Sequence, residues 1–160
     1  MDITNQELLE LSTRIEREGL EFYTKLAELI PDPEVKEVLD LLAREETTHE
    51  TQFKKLLDQK GDRSFGWENS EPLRNIINHH YQTDIFPKPE EFFEHIPQLE
   101  GIRKAFDYAL EVEKTSAEFY GLLQEACSDL ETKTLILLLE KAEREHITRI
   151  QALREKYSPR

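Results

Sequence analysis

Slid against itself by 97 residues, the sequence aligns residues 8–57 with 105–154 without a gap, and 15 of the 50 pairs are identical. Glu16 falls on Glu113, and Glu21-Phe22-Tyr23 on Glu118-Phe119-Tyr120. Asp32, Glu34 and Lys36 match Asp129, Glu131 and Lys133, while Glu46 and His49 match Glu143 and His146. Internal repetition of this length constrains the fold more than any composition does. The chain reads as two copies of one helical hairpin.

Each copy reads as helix, short break, helix. Thr4-Asn5-Gln6-Glu7 is a capping box that starts the first helix, and Pro31-Asp32-Pro33 ends it. Asp32 can cap the second helix with Pro33 at its first position, where the missing N–H costs nothing. That helix runs to about Gln59, and Gly61 stops it. The third spans about Leu99 to Cys127. Ser128-Asp129-Leu130-Glu131 reads as another capping box, and the fourth helix runs to about Tyr157.

Hairpin 1 is thus about 4–59, hairpin 2 about 99–157, and the crossover about 60–98, all within one domain of 160 residues. The crossover holds Gly61, Gly66, Pro72, Pro87, Pro89 and Pro97, with short helical pieces expected at Glu71–Tyr81 and Glu90–His95. A connection this long can cross the full length of a bundle, so that the second and third long helices run parallel. The expected class is all-α, a ferritin-like four-helix bundle.

Composition narrows the function. A net charge of −13 disfavours nucleic acid or an anionic membrane as a partner and favours cations. The longest apolar run, Leu135-Ile136-Leu137-Leu138-Leu139, is five residues, far short of the roughly 20 that a membrane span needs. One cysteine, Cys127, excludes an internal disulfide or a CxxC metal site and suits a reducing compartment. Met1–Glu7 carries neither a basic nor an apolar region, so no signal peptide is expected and the location expected is cytoplasmic.

Acids stand on the wrong face. The apolar stripe of the first helix passes through Leu8, Ser12, Glu16, Gly19, Tyr23, Leu26 and Ile30, at helical spacing. The third repeats it with Phe106, Ala109, Glu113, Ser116, Tyr120 and Leu123. The second threads Leu39, Leu42, Glu46, His49, Phe53 and Leu56, and the fourth Leu135, Leu139, Glu143, His146, Ile150 and Leu153. Each long helix therefore turns one carboxylate inward, and two add a histidine one turn later.

With 26 glutamates and five histidines, on the order of one Glu-x-x-His pair arises by chance, so a single pair says little. Two pairs on matching core faces, at the offset that also aligns two Glu-x6-Tyr pairs, say much more. Glutamates near a bundle core can snorkel outward, and a repeat can preserve residues for packing alone. Against this stands cost: four convergent carboxylates in low dielectric each cost several kcal/mol without a counter-charge. Two divalent cations bring four positive charges to four glutamates and leave two imidazoles as neutral ligands. Metal-free, all four carboxyl groups are expected to have raised pKa values.

Glu16-x6-Tyr23, Glu46-x2-His49, Glu113-x6-Tyr120 and Glu143-x2-His146 resemble the four-helix diiron-carboxylate proteins of the ferritin-like superfamily. The stretch Ile15-Glu16-Arg17-Glu18-Gly19-Leu20-Glu21-Phe22-Tyr23 is most similar to rubrerythrin-like members. The resemblance implies that Glu46 and Glu143 bridge two irons, while Glu16, Glu113, His49 and His146 complete the coordination. It also implies that Tyr23 and Tyr120 hydrogen-bond to carboxylates across the core. It implies, further, a homodimer and a diiron oxidoreductase acting on peroxide or dioxygen. Rubrerythrins proper append a rubredoxin domain, for which this sequence lacks cysteines, so electrons are expected from a separate donor such as a rubredoxin. They also carry a further helix-three glutamate where this sequence has Ser116.

Other readings stay open: an iron-binding or storage-type protein without turnover, a dimanganese catalase-like enzyme, and a metal-free helical scaffold. His79-His80 and Glu94-His95 form a weaker metal candidate in the crossover. Trp67 and Phe92-Phe93 are expected to pin the crossover to the bundle or to a partner subunit. Cys127 reads as an inert buried thiol, and Arg44-Glu45 and Lys141…Arg144-Glu145 read as solvated outer faces.

Overall fold

The computed structural model describes residues 2–60, 64–82 and 99–157. Among them are five helices and no strand: α1 (Asn5–Leu29), α2 (Pro33–Lys60), α3 (Glu71–Gln82), α4 (Leu99–Ala126) and α5 (Leu130–Lys156). The helix expected at Glu90–His95, the stop at Gly61 and the pair Phe92-Phe93 lie outside the described residues. None of the helices among the described residues is long and apolar enough to cross a membrane.

The helix starts follow local chemistry. At α1 the Thr4 hydroxyl accepts the Glu7 N–H at 3.1 Å while Glu7 takes the Thr4 N–H at 3.2 Å, a complete capping box. At α2 the Asp32 carboxylate accepts the Glu34 N–H at 3.0 Å, ahead of Pro33 at the first position. The start of α5 differs from the sequence expectation. Its N-cap is Asp129, whose carboxylate accepts the Thr132 N–H at 3.1 Å, and Ser128 is not part of a capping box. A carboxylate is the stronger acceptor, and the Ser128 hydroxyl is drawn elsewhere, to the Phe65 carbonyl at 3.0 Å.

Two hairpins, α1–α2 and α4–α5, form the closest helix pairs. Contacts between them fix direction. Along α1, Ser12 and Glu16 meet Tyr120 while Tyr23 meets Glu113, so α1 and α4 are antiparallel. Since each hairpin reverses direction, α2 and α4 run parallel, the ferritin-like arrangement that requires a long crossover. The apolar core falls into two clusters. One gathers Phe22, Leu26, Leu39, Phe106 and Ile150; the other gathers Leu8, Ile15, Phe53, Phe119, Leu123 and Ile136. On every long helix the polar residues 16, 46, 49, 113, 143 and 146 fall between the two.

Residues 64–70 close one end of the bundle. Trp67 is fully buried and stacks on Phe65 with ring centroids 4.4 Å apart, which puts it on the bundle as expected. The Phe65 carbonyl also accepts the Ser128 N–H at 2.7 Å, and the Ile3 N–H reaches the Glu68 carbonyl at 2.8 Å. The Glu68 carboxylate takes the N–H groups of Phe65 and Gly66. Cys127 is buried here, its thiol pointing at the Asp129 carbonyl at 3.5 Å. Gly66 has φ of +100°, and a Cβ there would stand 2.7 Å from the Ala126 carbonyl oxygen. Gly66→Ala is therefore expected to cost about 2–3 kcal/mol of stability. Urea unfolding of the chelator-treated protein measures it, and a loss below about 0.5 kcal/mol would contradict this account of the turn.

Candidate metal centre

Six buried side chains converge midway along the bundle: Glu16 from α1, Glu46 and His49 from α2, Glu113 from α4, and Glu143 and His146 from α5. Glu-x-x-His at helical spacing puts the acid and the imidazole of one helix on the same face, one turn apart. Two overlapping groups result. Glu16, Glu46, His49 and Glu143 form one, and Glu46, Glu113, Glu143 and His146 the other, each offering one donor atom within 4.8 Å of the rest. Glu46 and Glu143 belong to both.

Within the cluster His49 Nδ1 lies 2.8 Å from Glu143 Oε1. His146 Nδ1 lies 3.3 Å from Glu46, 3.4 Å from Glu113 and 3.6 Å from Glu143. The two imidazoles stack at 5.4 Å between centroids. Space for this is made by Gly19, where a Cβ would stand 3.3 Å from the Glu46 carboxyl carbon. Larger side chains at that position would push Glu46 out of place.

Each tyrosine of the repeat reaches across to the other half. Tyr23 donates to Glu113 Oε1 at 2.5 Å, and Tyr120 donates to Glu16 Oε1 at 2.9 Å. Because Tyr120 spends its one proton on Glu16, the Ser12 hydroxyl 3.1 Å away must donate to the Tyr120 oxygen. Burial, and next the carboxylate each tyrosine touches, pushes both phenols well above their usual range, so they remain donors. Ser12 stood in the apolar stripe of the sequence without a role.

Donor atoms are left over. Seven buried side-chain polar atoms among the described residues lack a hydrogen-bond partner, and four of them are Glu16 Oε2, Glu113 Oε2, Glu143 Oε2 and His146 Nδ1. A fifth is the hydroxyl of Ser116, one turn beyond Glu113. Unpaired acceptors in a dry interior are costly, and here they gather in one place. Oxygen-rich donors with two imidazoles fit divalent first-row metals. The donor set suits two such ions.

Without metal the cluster is held by protons. Burial, and then the charges of neighbouring carboxylates, pushes Glu16 and Glu46 well above the usual range and Glu113 up to about 8. Glu143 departs from the expectation that all four acids are raised. Burial pushes it up too, but its neighbours Glu113, His146 and His49, the last 2.8 Å away, outweigh burial and hold it below its ordinary value. Burial likewise opposes the charge on His146, yet the Glu113 and Glu143 carboxylates, 3.4 and 3.6 Å from Nδ1, lift it to about 11.

One participant contradicts the sequence reading. Glu45, expected on a solvated face, is half-buried and hydrogen-bonds His146 Nε2 and, at 3.0 Å, Arg149. Its signal was positional: Glu45 follows Leu42 by three and precedes His49 by four, at the margin of the inward stripe. Arg144 and Glu145, by contrast, are exposed as expected. His79 is exposed on α3, His95 lies outside the described residues, and no third group of metal-type donors occurs among the described residues.

The sequence matches the rubrerythrin family over residues 7–154. Among solved structures, a hypothetical protein of Pyrococcus furiosus superposes with a TM-score of 0.71 at 27% identity, over 97% of this chain and 90% of its own. A Thermotoga maritima protein classed as ferritin-like diiron-carboxylate gives 0.71 at 22% identity, over 94% and 93%. No protein of curated function matches.

The protonation pattern sets a pH dependence. Glu16, Glu46 and Glu113 keep, when folded, protons that the unfolded chain releases around 4.5. Their stabilising contribution is full below that pH and is lost as pH rises through the folded values, about 8 for Glu113. His146, raised from 6.5 to about 11, carries the decline further into alkali. Glu143 has the opposite sign: its contribution is present above 4.5 and disappears only in acid. Thermal melts with chelator are therefore expected to fall steadily from about pH 5 to about pH 9. Glu16→Gln with Glu113→Gln should flatten that fall, and a slope unchanged by the pair would place its origin elsewhere.

Proposed function

The chain belongs to the rubrerythrin family, and on that premise we propose that it is a dinuclear iron protein that reduces hydrogen peroxide or dioxygen with electrons from a separate donor. The observation that carries this reading is the pair of overlapping donor groups sharing Glu46 and Glu143, with unpartnered carboxylate oxygens turned inward. Glu46 and Glu143 would bridge the two ions. Glu16 and His49 would complete one, and Glu113 and His146 the other. Two ferrous ions side by side would supply the two electrons that peroxide reduction needs.

The chain's own residues set the conditions for that chemistry. Tyr23 and Tyr120 each hold one oxygen of Glu113 and Glu16, leaving the second oxygen of each to a metal. Four carboxylates against two divalent ions keep the buried centre near neutrality. The two apolar clusters exclude water along the bundle axis. Between α2 and α5 a groove lined by Leu135, Leu139 and Ala142, with Glu45 and Lys55 among its polar residues, takes in His49 and would be the way in for a small oxidant. Cys127 is the one cysteine of these 160 residues, too few for a rubredoxin-type iron site within them, and the donor we propose is a separate protein such as a rubredoxin. We place the protein in the reducing cytoplasm as a homodimer, for which the exposed Leu130, Leu137 and Leu138 of α5 offer an apolar face.

Anaerobic titration with ferrous ion is expected to saturate at about two equivalents per chain, and Glu46→Gln or Glu143→Gln to abolish the second equivalent. The iron-loaded protein should be oxidised by peroxide at once and turn over only with an added reductant. Saturation at one equivalent or none would remove the dinuclear reading. Rapid donor-free dismutation by the manganese-loaded protein would favour the catalase-like alternative, and oxidation without any turnover the storage-type one.

A further inference from the structure

The two halves of the centre repeat each other at every proposed ligand and differ in what stands behind the histidines. His146 Nε2 hydrogen-bonds to Glu45, and the same carboxylate takes Arg149 Nη1 at 3.0 and 3.1 Å. The 97-residue shift carries Glu45 onto Ala142 and Arg149 onto Gln52. For His49, the counterpart of His146, the residue corresponding to Glu45 is thus an alanine with no charge to offer. His49 itself lines the groove, with Gln52, Ala142 and Glu45, whereas His146 does not. Among the described residues, His49 bonds through Nδ1 to Glu143 at 2.8 Å.

Imidazole presents one nitrogen to a metal while the other carries a proton. A carboxylate behind that N–H fixes the tautomer and ring plane and makes the ring a stronger donor. Arg149 in turn holds Glu45 in place by two contacts from one nitrogen. Resting on the dinuclear reading above, we propose that Glu45 is a positioning residue that makes the two metal positions unequal. The position of Glu46, Glu113, Glu143 and His146 is preformed and fills first. That of Glu16, Glu46, Glu143 and His49 fills second, on the side facing the groove.

Calorimetric titration of the whole chain with ferrous ion, under anaerobic conditions, tests this. Wild type is expected to show two events with dissociation constants about ten-fold or more apart. Glu45→Gln keeps the shape and loses the charge, while Glu45→Ala removes the contact. Both should weaken the tight event, the alanine variant by about 10–100-fold, with little change in the weak one. Conversely, Ala142→Glu with Gln52→Arg installs the same pair behind His49 and should draw the two constants together. This gain-of-function arm carries the test even where a Glu45 variant fails to fold. Nitrogen-15 spectra of the zinc-loaded protein should show the His146 proton fixed on Nε2 in wild type and the tautomer released in Glu45→Ala. Two equal events in wild type, or Glu45 variants that lower only the melting temperature, would overturn the inequality while leaving the dinuclear centre standing. Saturation of wild type at one equivalent would instead overturn the dinuclear reading itself, before any variant is made.

Discussion

Four carboxylates in a layer between two apolar clusters are the constraint to which the rest of the bundle is fitted. Each needs a proton, a donor or a cation, because the interior offers no water to solvate it. Tyr23, Tyr120 and Ser12 supply fixed donors, and His146 supplies a positive charge. Gly19 is small because the Glu46 carboxylate fills the space beside it. The two apolar clusters on either side carry the folding free energy that the polar layer costs.

Protons and metals compete for the same oxygens. Glu16, Glu46 and Glu113 hold protons to higher pH than exposed glutamates do, whereas Glu143 is held ionised by its neighbours Glu113, His146 and His49. Metal entry at the proposed centre would therefore release protons, and affinity would rise with pH as the metal-free fold loosens. Ser116 adds a hydroxyl to the buried layer and no charge. The anionic complement of the centre stays at four, the number that two divalent ions balance.

Much of this was legible in the sequence because helical spacing converts directly into a face. Glu16 and Tyr23, seven apart, had to point the same way, and their offset of 97 from Glu113 and Tyr120 told that two such faces meet. The capping chemistry at Thr4 and Asp32 was equally local. What escaped depends on contacts between distant segments. Ser128 looked like a helix cap until the Phe65 carbonyl, 63 residues away in sequence, competed for its hydroxyl. Glu45 looked solvated because Arg44 and Glu45 form a charge run, and its partners sit a whole hairpin away. The fate of Glu143 turned on which neighbours donate to it, and sequence spacing gives the neighbours without the direction of the hydrogen bond.

The 97-residue repeat has a consequence for how such a centre can change. A symmetric pair of identical hairpins would place the metals across a two-fold axis running between Glu46 and Glu143. In that arrangement every substitution strikes both sides at once, since one codon writes both copies. Joining the hairpins in one chain gives each side its own codon. Glu45 can face Ala142 and Gly19 can answer to Ser116 only because the two copies are written separately. Covalent linkage thus turns a centre that symmetry would hold even into one whose halves are free to specialise.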